Sequence, residues 1–314
     1  MISCDQLTKI YRHQGRKALD AVTFSVSGRG IFVLIGRNGS GKTTMVRILS
    51  TELEPTTGSA SIDGIDILRS PVEIRNRIAI VPQEARTVNW MTPMQTAFSY
   101  LLWRGFSRAE AKSRSKESLE RLGLKKYADS LNRTLSGGMK RKVLVATVLA
   151  SEADILFLDE PTTGLDPISR REFWDILRET ARERFVFLTT HYLEEAEALA
   201  DDIGILEGGR LIRMGTLRSL RQSMDYSFSL RIPKNQIVSI PLVRNGEMFD
   251  GSEDTHILTV EDEAYEISRT LAKQEKRFTI NPVSLEDIFF YLIAKEGEHP
   301  DEGEYGAGSQ QHAH

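Results

Sequence analysis

The octapeptide GRNGSGKT at residues 36–43 matches the pattern G-x-x-x-x-G-K-[ST], whose chemistry is the capture of phosphate. Glycine tolerates unusual dihedrals and close approach, so the backbone amides of Gly39, Ser40 and Gly41 can turn inward toward phosphate oxygens. The helix expected next, TTMVRILS, adds its positive N-terminal end. At this spacing Lys42 reaches the β- and γ-phosphates of a nucleoside triphosphate, and the Thr43 hydroxyl is placed to ligate Mg²⁺. Gly36, Asn38 and Thr44 belong to the same loop. A plain glycine-rich turn is the competing reading, and the apolar run IFVLI just before the loop argues against it.

A second constellation stands at residues 155–160, ILFLDE. Asp159, directly after an apolar run, is placed to hold Mg²⁺ through its water shell. Glu160 can orient or deprotonate an attacking water, and such a general base contributes on the order of 10²–10⁴-fold in rate. A third is LSGGM at 135–139, where two glycines after a small hydroxyl residue open a helix. That is another anion-accepting terminus. One nucleotide does not need two such cradles from one chain, so this one suits a γ-phosphate held by another subunit. Read alone, it is also an ordinary Ser-capped helix start.

These segments need a frame that brings them together. Residues 31–35 (IFVLI), 155–158 (ILFL) and 185–188 (FVFL) are short unbroken apolar runs, as expected of parallel strands covered on both faces. Residues 21–26 alternate, with Val22, Phe24 and Val26 apolar, and predict a strand with one wet face. A polar segment follows each of the three apolar runs, and ligands of open α/β sheets sit beyond the carboxyl ends of parallel strands. The three segments should therefore converge on one site. Residues 92–130 predict polar helices, with Pro93 in a first turn and breaks at Gly105 and Gly123. They form a helical subdomain inserted at about residues 88–145. Beyond a main domain of residues 1–222, strand-like and helix-like pieces alternate and predict a small α+β appendage over 224–295. The Gly-rich, acidic stretch 297–314 is expected to be disordered.

Composition narrows the class. The 314 residues carry a formal net charge of −3, without the basic footprint that nucleic-acid binding leaves, so no nucleic-acid partner is expected. The single cysteine, Cys4, cannot build a disulfide framework, which suits a reducing, cytoplasmic setting. It is read as a half-buried side chain on a first strand. No apolar run reaches the ~18–20 residues that span a bilayer, and the N-terminus lacks a secretory h-region. Any membrane role is expected to come through another chain.

GRNGSGKTT, Gln83 of VPQ, LSGGM, FLDEP, GLD at 164–166 and His191 of TTH stand in the order found in the ATP-binding cassette (ABC) family, which this chain resembles over about residues 2–220. The resemblance implies an α/β P-loop NTPase cassette with a mostly parallel core sheet. An N-terminal antiparallel β subdomain and the inserted helical subdomain complete it. It also implies ATP and Mg²⁺ as ligands and gives roles residue by residue. Tyr11 resembles the aromatic that stacks on adenine, and Gln83 the loop glutamine that touches Mg²⁺ and water. Ser136, Gly137 and Gly138 resemble the signature that caps the opposing ATP. Asp166 resembles the residue that links the two sites, and His191 the switch histidine at the γ-phosphate. The variant signature LSGGM-KRK and the segment SLEDIFFYL resemble ATPases of ABC-2 type drug and antibiotic exporters. Arg37 stands where Pro or Ala is frequent and is expected to point outward, while Met139 removes a side-chain amide.

The implied partners are a transmembrane permease subunit and a second ABC ATPase subunit, at the cytoplasmic face of the membrane. The segment after Gln83, with Trp90 and Met91 as anchors, is expected to dock the permease. Two alternatives come from other classes. A soluble ABC-type ATPase acting on DNA or ribosomes would carry coiled-coil heptads or two cassettes, which this sequence lacks. A regulatory module that barely hydrolyses is opposed by the intact Glu160.

Overall fold

The computed structural model describes residues 1–11, 15, 17–236, 244–250 and 254–297. The expected disordered tail therefore lies, beyond residue 297, outside the described residues. The chain begins with strands β1 (Ile2–Ile10), β2 (Lys17–Val26) and β3 (Gly30–Ile35), then helix α1 (Lys42–Leu49). Strands β4 (Thr57–Ile62) and β5 (Ile65–Asp66), helix α2 (Pro71–Arg77) and strand β6 (Ile78–Val81) follow. Three helices come next: α3 (Pro93–Trp103), α4 (Arg108–Arg121) and α5 (Gly137–Leu149). Then come β7 (Ile155–Asp159), α6 (Pro167–Ala181), β8 (Phe185–Thr190), α7 (Leu193–Leu199), β9 (Asp202–Glu207), β10 (Arg210–Gly215) and α8 (Leu217–Gln222). The remainder is β11 (Phe228–Pro233), β12 (Gly246–Asp250), β13 (Asp254–Thr259), α9 (Glu261–Lys273), β14 (Thr279–Pro282) and α10 (Leu285–Gly297).

The apolar runs form a six-stranded sheet in the order β10-β9-β3-β8-β7-β6. All pairs from β9 to β6 are parallel, and only β10 pairs antiparallel. Every residue of β3 and β7 is buried, because helices or the second sheet cover both faces. The register places Ile35 beside Thr190, Asp159 beside Thr189 and Val81 beside Leu158. The carboxyl ends of β3, β8, β7 and β6 thus stand side by side, which brings their following segments to one edge.

An antiparallel sheet in the order β2-β1-β4-β5 packs against this core. Its alternating strand β2 turns Val22, Phe24 and Val26 inward. Phe24 stacks on Phe32 at 5.7 Å, Phe32 meets Phe187 at 5.0 Å, and Phe187 meets Phe157 at 5.4 Å. Each such pair adds about 0.5–1.5 kcal/mol beyond burial, so the four rings lock the two sheets together. Cys4 is fully rather than half buried, and that burial pushes its thiol up to about 12. β1 is covered on this face by the core sheet, which a lone strand pattern does not reveal.

The helical insert is defined by its caps. Thr92 and Gln95 form a capping box with Pro93 in the first turn, and Ser107 and Glu110 form another. Left-handed Gly105 and Gly123 follow the ends of α3 and α4. The Ser118 hydroxyl of α4 donates to the Ala146 carbonyl of α5 at 2.6 Å.

The chain divides near residue 220 into two compact units. In the second, an antiparallel sheet in the order β12-β13-β11-β14 is covered by α9. The apolar stripe Ala264, Ile267 and Leu271 of that helix packs on Leu230, Ile232 and Ile257. Asp287 at the start of α10 is a buried hub. It accepts hydrogen bonds from Ser229 at 3.0 Å and from the Ser284 hydroxyl at 2.6 Å, and lies 3.3 Å from His256 Nδ1.

Candidate functional site: a phosphate loop at the ends of four strands

Between β3 and α1 the loop turns back on itself, and two positions require glycine. A Cβ on Gly36 would sit 2.2 Å from the Leu206 carbonyl oxygen and 2.5 Å from Ser40 Oγ. Gly41 has φ +110°, and a Cβ there would meet the Ala18 carbonyl at 2.3 Å. The Ser40 N–H does not turn inward as the pattern predicts. It closes the turn onto the Arg37 carbonyl at 3.1 Å, and the buried Ser40 Oγ has no partner among the described residues. Arg37 is exposed, as expected. The Lys42 ammonium donates to the carbonyls of Gly36 at 2.8 Å and Arg37 at 3.1 Å, spanning the loop. Burial pulls its pKa down, and the negative charges of Glu160, Asp159 and Glu207 oppose that shift.

Glu160 is where the site converges. Its Oε1 lies 3.9 Å from Lys42 Nζ, and its Oε2 accepts from Gln83 Nε2 at 3.3 Å and Thr163 Oγ1 at 3.4 Å. His191 Nδ1 stands 3.2 Å from the same Oε2. The backbone of Glu160 has φ +49°, a left-handed conformation that costs a non-glycine residue about 1–3 kcal/mol. Its N–H donates to both the carbonyl and the hydroxyl of Thr189, at 3.1 Å each, which holds the bend in place. Asp159 is buried, and its Oδ1 accepts a hydrogen bond from Thr189 Oγ1. Thr189 at the end of β8 thus fixes both acids, and its place in an apolar strand gave no sequence signal.

A cleft of about 360 Å³ opens over the loop, lined by Tyr11, Lys17, Ala18, Asn38, Gly39, Gly41, Lys42, Thr43, Thr44, Gln83 and Glu160. The Tyr11 hydroxyl reaches Thr44 Oγ1 at 3.3 Å, which sets the ring in the wall of the cleft. Thr43 donates to Gln83 Oε1 at 3.2 Å. Thr43 and Gln83 in this cleft, and the Asp159 carboxylate next to Glu160 in the chain, supply oxygen donors of the kind Mg²⁺ prefers. Among the described residues no three His, Cys, Asp or Glu side chains could hold a metal ion by themselves. This donor set therefore fits a cation completed by phosphate oxygens, as Mg²⁺ is in phosphoryl-transfer sites.

Ser136, Gly137, Gly138 and Asp166 do not line this cleft. Ser136 caps α5 by accepting from the Met139 N–H at 3.2 Å, and Gly137 beside it is exposed. Gly138 lies against the 164–165 turn, where a Cβ would stand 3.2 Å from the Gly164 carbonyl. Asp166 caps α6, accepting from the N–H groups of Ile168 at 3.1 Å and Ser169 at 3.0 Å.

Sequence reading passed over Glu195 and Arg141. Glu195 is buried and accepts from Trp174 Nε1 at 3.0 Å and Thr162 Oγ1 at 3.1 Å, joining α7 to the segment after Glu160. Burial raises its pKa against the pull of those hydrogen bonds. Arg141 belongs to the KRK run after the LSGGM signature, and its side chain is buried.

Residues 19–163 match the ABC transporter family. The chain is 38% identical over 224 residues to the daunorubicin/doxorubicin resistance ATP-binding protein DrrA of Streptomyces peucetius, covering 71% of this chain and 67% of that protein. It is 34% identical over 235 residues to the human phospholipid-transporting ATPase ABCA3, covering 74% of this chain but only 14% of that longer protein. Among solved structures, a dimeric bacterial ABC transporter cassette superposes with TM-score 0.65 at 26% identity, over 69% of this chain and 99% of that one. The same cassette is known in a post-hydrolysis state bound to ADP and Pi. At 38% identity over two thirds of a DrrA protein's length, the chain belongs to the ABC transporter family, as an ATP-binding and ATP-hydrolysing subunit.

Proposed function

We propose that this chain powers a separate transmembrane permease, as an exporter of the ABC-2 type, at the cytoplasmic face of the membrane. The observation that carries the catalytic reading is the convergence of Lys42, Gln83 and His191 on one buried carboxylate, Glu160, beside the cleft. In this reading Lys42 binds the β- and γ-phosphates, Tyr11 stacks on adenine, and Asn38, Gly39, Gly41 and Thr44 line the phosphate cradle. Thr43, Gln83 and Asp159 would hold Mg²⁺, which would neutralise charge on the phosphates when bound. Glu160 accepts a proton from water as its oxygen attacks the γ-phosphorus and the bond to the β–γ bridging oxygen breaks. His191 orients that water and the γ-phosphate.

Ser136, Gly137 and Gly138 are exposed or half-exposed and do not line their own chain's cleft, which supports a second cassette as their target. Asp166, beside them on the α6 cap, then faces the junction of the two sites. Whether that second cassette is an identical or a related chain, the chemistry is the same. Among the described residues no helix is long and apolar enough to cross a membrane. The permease dock is the segment after Gln83: Trp90 is 79% exposed and Trp103 on α3 is 80% exposed, whereas Met91 is partly buried. Trp90 is thus the better anchor of the two residues singled out in that segment. Glu160→Gln protein should bind ATP, associate in its presence and release almost no phosphate. Unchanged phosphate release would remove Glu160 from this role. Detergent extraction with the full chain as bait should recover a membrane protein, and its consistent absence would count against the coupling.

A further inference from the structure

We propose that Arg141 is a positioning residue that makes hydrolysis conditional on the seating of the α5 N-terminus. The inference rests on the roles given above to Glu160 and Gln83. Arg141 lies one helical turn after Gly137, so it moves with the signature end of α5. Its guanidinium is buried and faces the ends of two core strands at once. Nη1 donates to the carbonyls of Pro82 at 3.0 Å and Gln83 at 3.3 Å, after β6. Nη2 donates to the carbonyls of Asp159 and, at 3.2 Å, Glu160, while Nε reaches the Pro161 carbonyl at 3.4 Å. Five backbone carbonyls from two segments therefore accept from one side chain.

That pattern has a geometric consequence. A guanidinium is planar and rigid, so the separation of its two Nη groups sets the separation of the two backbones they hold. Those backbones carry Gln83 and Glu160, whose side chains meet at 3.3 Å over the cleft. Among the described residues no carboxylate bonds directly to Arg141. Burial lowers its pKa, and the nearby charges of Asp159 and Glu160 offset the cost. A buried cation held mainly by carbonyls is costly to keep unless the contacts are complete, so the pairing is specific rather than incidental. When α5 meets a nucleotide on the second cassette, its displacement reaches Gln83 and Glu160 together through this fork. Lysine offers a single nitrogen on a flexible stem and cannot hold both segments at fixed spacing.

The test uses the full chain as Arg141→Ala and Arg141→Lys, beside the parent and Glu160→Gln. Affinity is read with a fluorescent ATP analogue, kcat and KM by phosphate release, and folding by thermal melting. Arg141→Ala should lose about 10–100-fold in kcat, as a misplacement near 1 Å does, while ATP affinity stays within about threefold. Added guanidinium chloride, well below denaturing concentration, should restore part of that kcat and none in Glu160→Gln. If Arg141→Ala fails to fold, Arg141→Lys decides: reduced kcat at parental affinity supports the proposal, and parental kcat overturns it. The proposal is also overturned if affinity and kcat fall in step, or if guanidinium leaves Arg141→Ala unchanged. Should Glu160→Gln itself turn over like the parent, the underlying catalytic reading has failed rather than the role of Arg141.

Discussion

Two helix N-termini in this chain look alike in sequence and differ in structure. The start of α1 is enclosed: Lys42 is buried, and Tyr11, Gln83 and Glu160 close the cleft around it. The start of α5 is bare, with Ser136 spent on capping and Gly137 exposed. Both offer N–H groups and a positive helix end to an anion. At the first, Lys42, Gln83 and His191 converge on the Glu160 carboxylate, whereas Gly137 at the second borders a neighbouring cavity with Gln83 and Glu160 and does not line the Lys42 cleft. In the proposed function the first is a site and the second is half of one. The sequence motif reports the shared chemistry of helix termini, and the surroundings decide which of them can act alone.

The comparison breaks first at the bare end. Gly138→Asp places a negative side chain at that terminus and against the Gly164 carbonyl. Turnover should fall about 10²–10³-fold, as when an electrostatic contact to a developing charge is lost. ATP affinity measured on the separated subunits should hold. Loss of affinity in that variant would mean that the two termini serve one chain's nucleotide. At the enclosed end, Lys42→Ala removes a charge-assisted contact worth about 1.5–3 kcal/mol, so ATP affinity should weaken about 10–100-fold in equilibrium titration. Tyr11→Ala should cost about 1–3 kcal/mol of nucleotide affinity if the ring stacks on the base, with kcat at saturating ATP nearly unchanged.

The legible part of this molecule was the part written locally. The loop at 36–43, the apolar runs of β3, β7 and β8, the first-turn Pro93 and the breaks at Gly105 and Gly123 each depend on neighbours a few residues away. What stayed hidden depends on distant partners. Strand β12, GEMFD, has a glycine and two acids in five residues and becomes a strand only because β13 pairs with it. The burial of Arg141 and the Thr189 clasp on Asp159 arise from strands and helices meeting across the sheet. The Ser40 amide, expected to face phosphate, is claimed by a turn that only the folded loop defines. The roles of Ser136–Gly138 came through family resemblance, since a Ser-capped helix start fits the same letters.

The smallest effect on nucleotide chemistry belongs to the second unit. Burial alone would push the Asp287 carboxyl up, but hydrogen bonds from His256, Ser284 and Ser229 hold it down at about 2. A depressed carboxyl stabilises the fold fully above its ordinary pKa of about 4 and loses that contribution as pH falls through about 2. Asp287→Asn should therefore cost about 2 kcal/mol in denaturant unfolding at neutral pH, with the deficit shrinking below pH 4. ATP affinity should stay at its parental value. A pH-independent deficit would show that packing rather than charge holds this hub.

Complementation between chains probes the difference between the two helix ends most directly. Lys42→Ala and Gly138→Asp proteins are each made separately, mixed, and assayed for phosphate release. Each alone should be nearly silent. In the mixture one interface unites an intact Lys42 loop with an intact Ser136–Gly138 end, and phosphate release should reappear. A mixture as silent as its parts, or full activity in Gly138→Asp alone, would contradict a site shared between two chains.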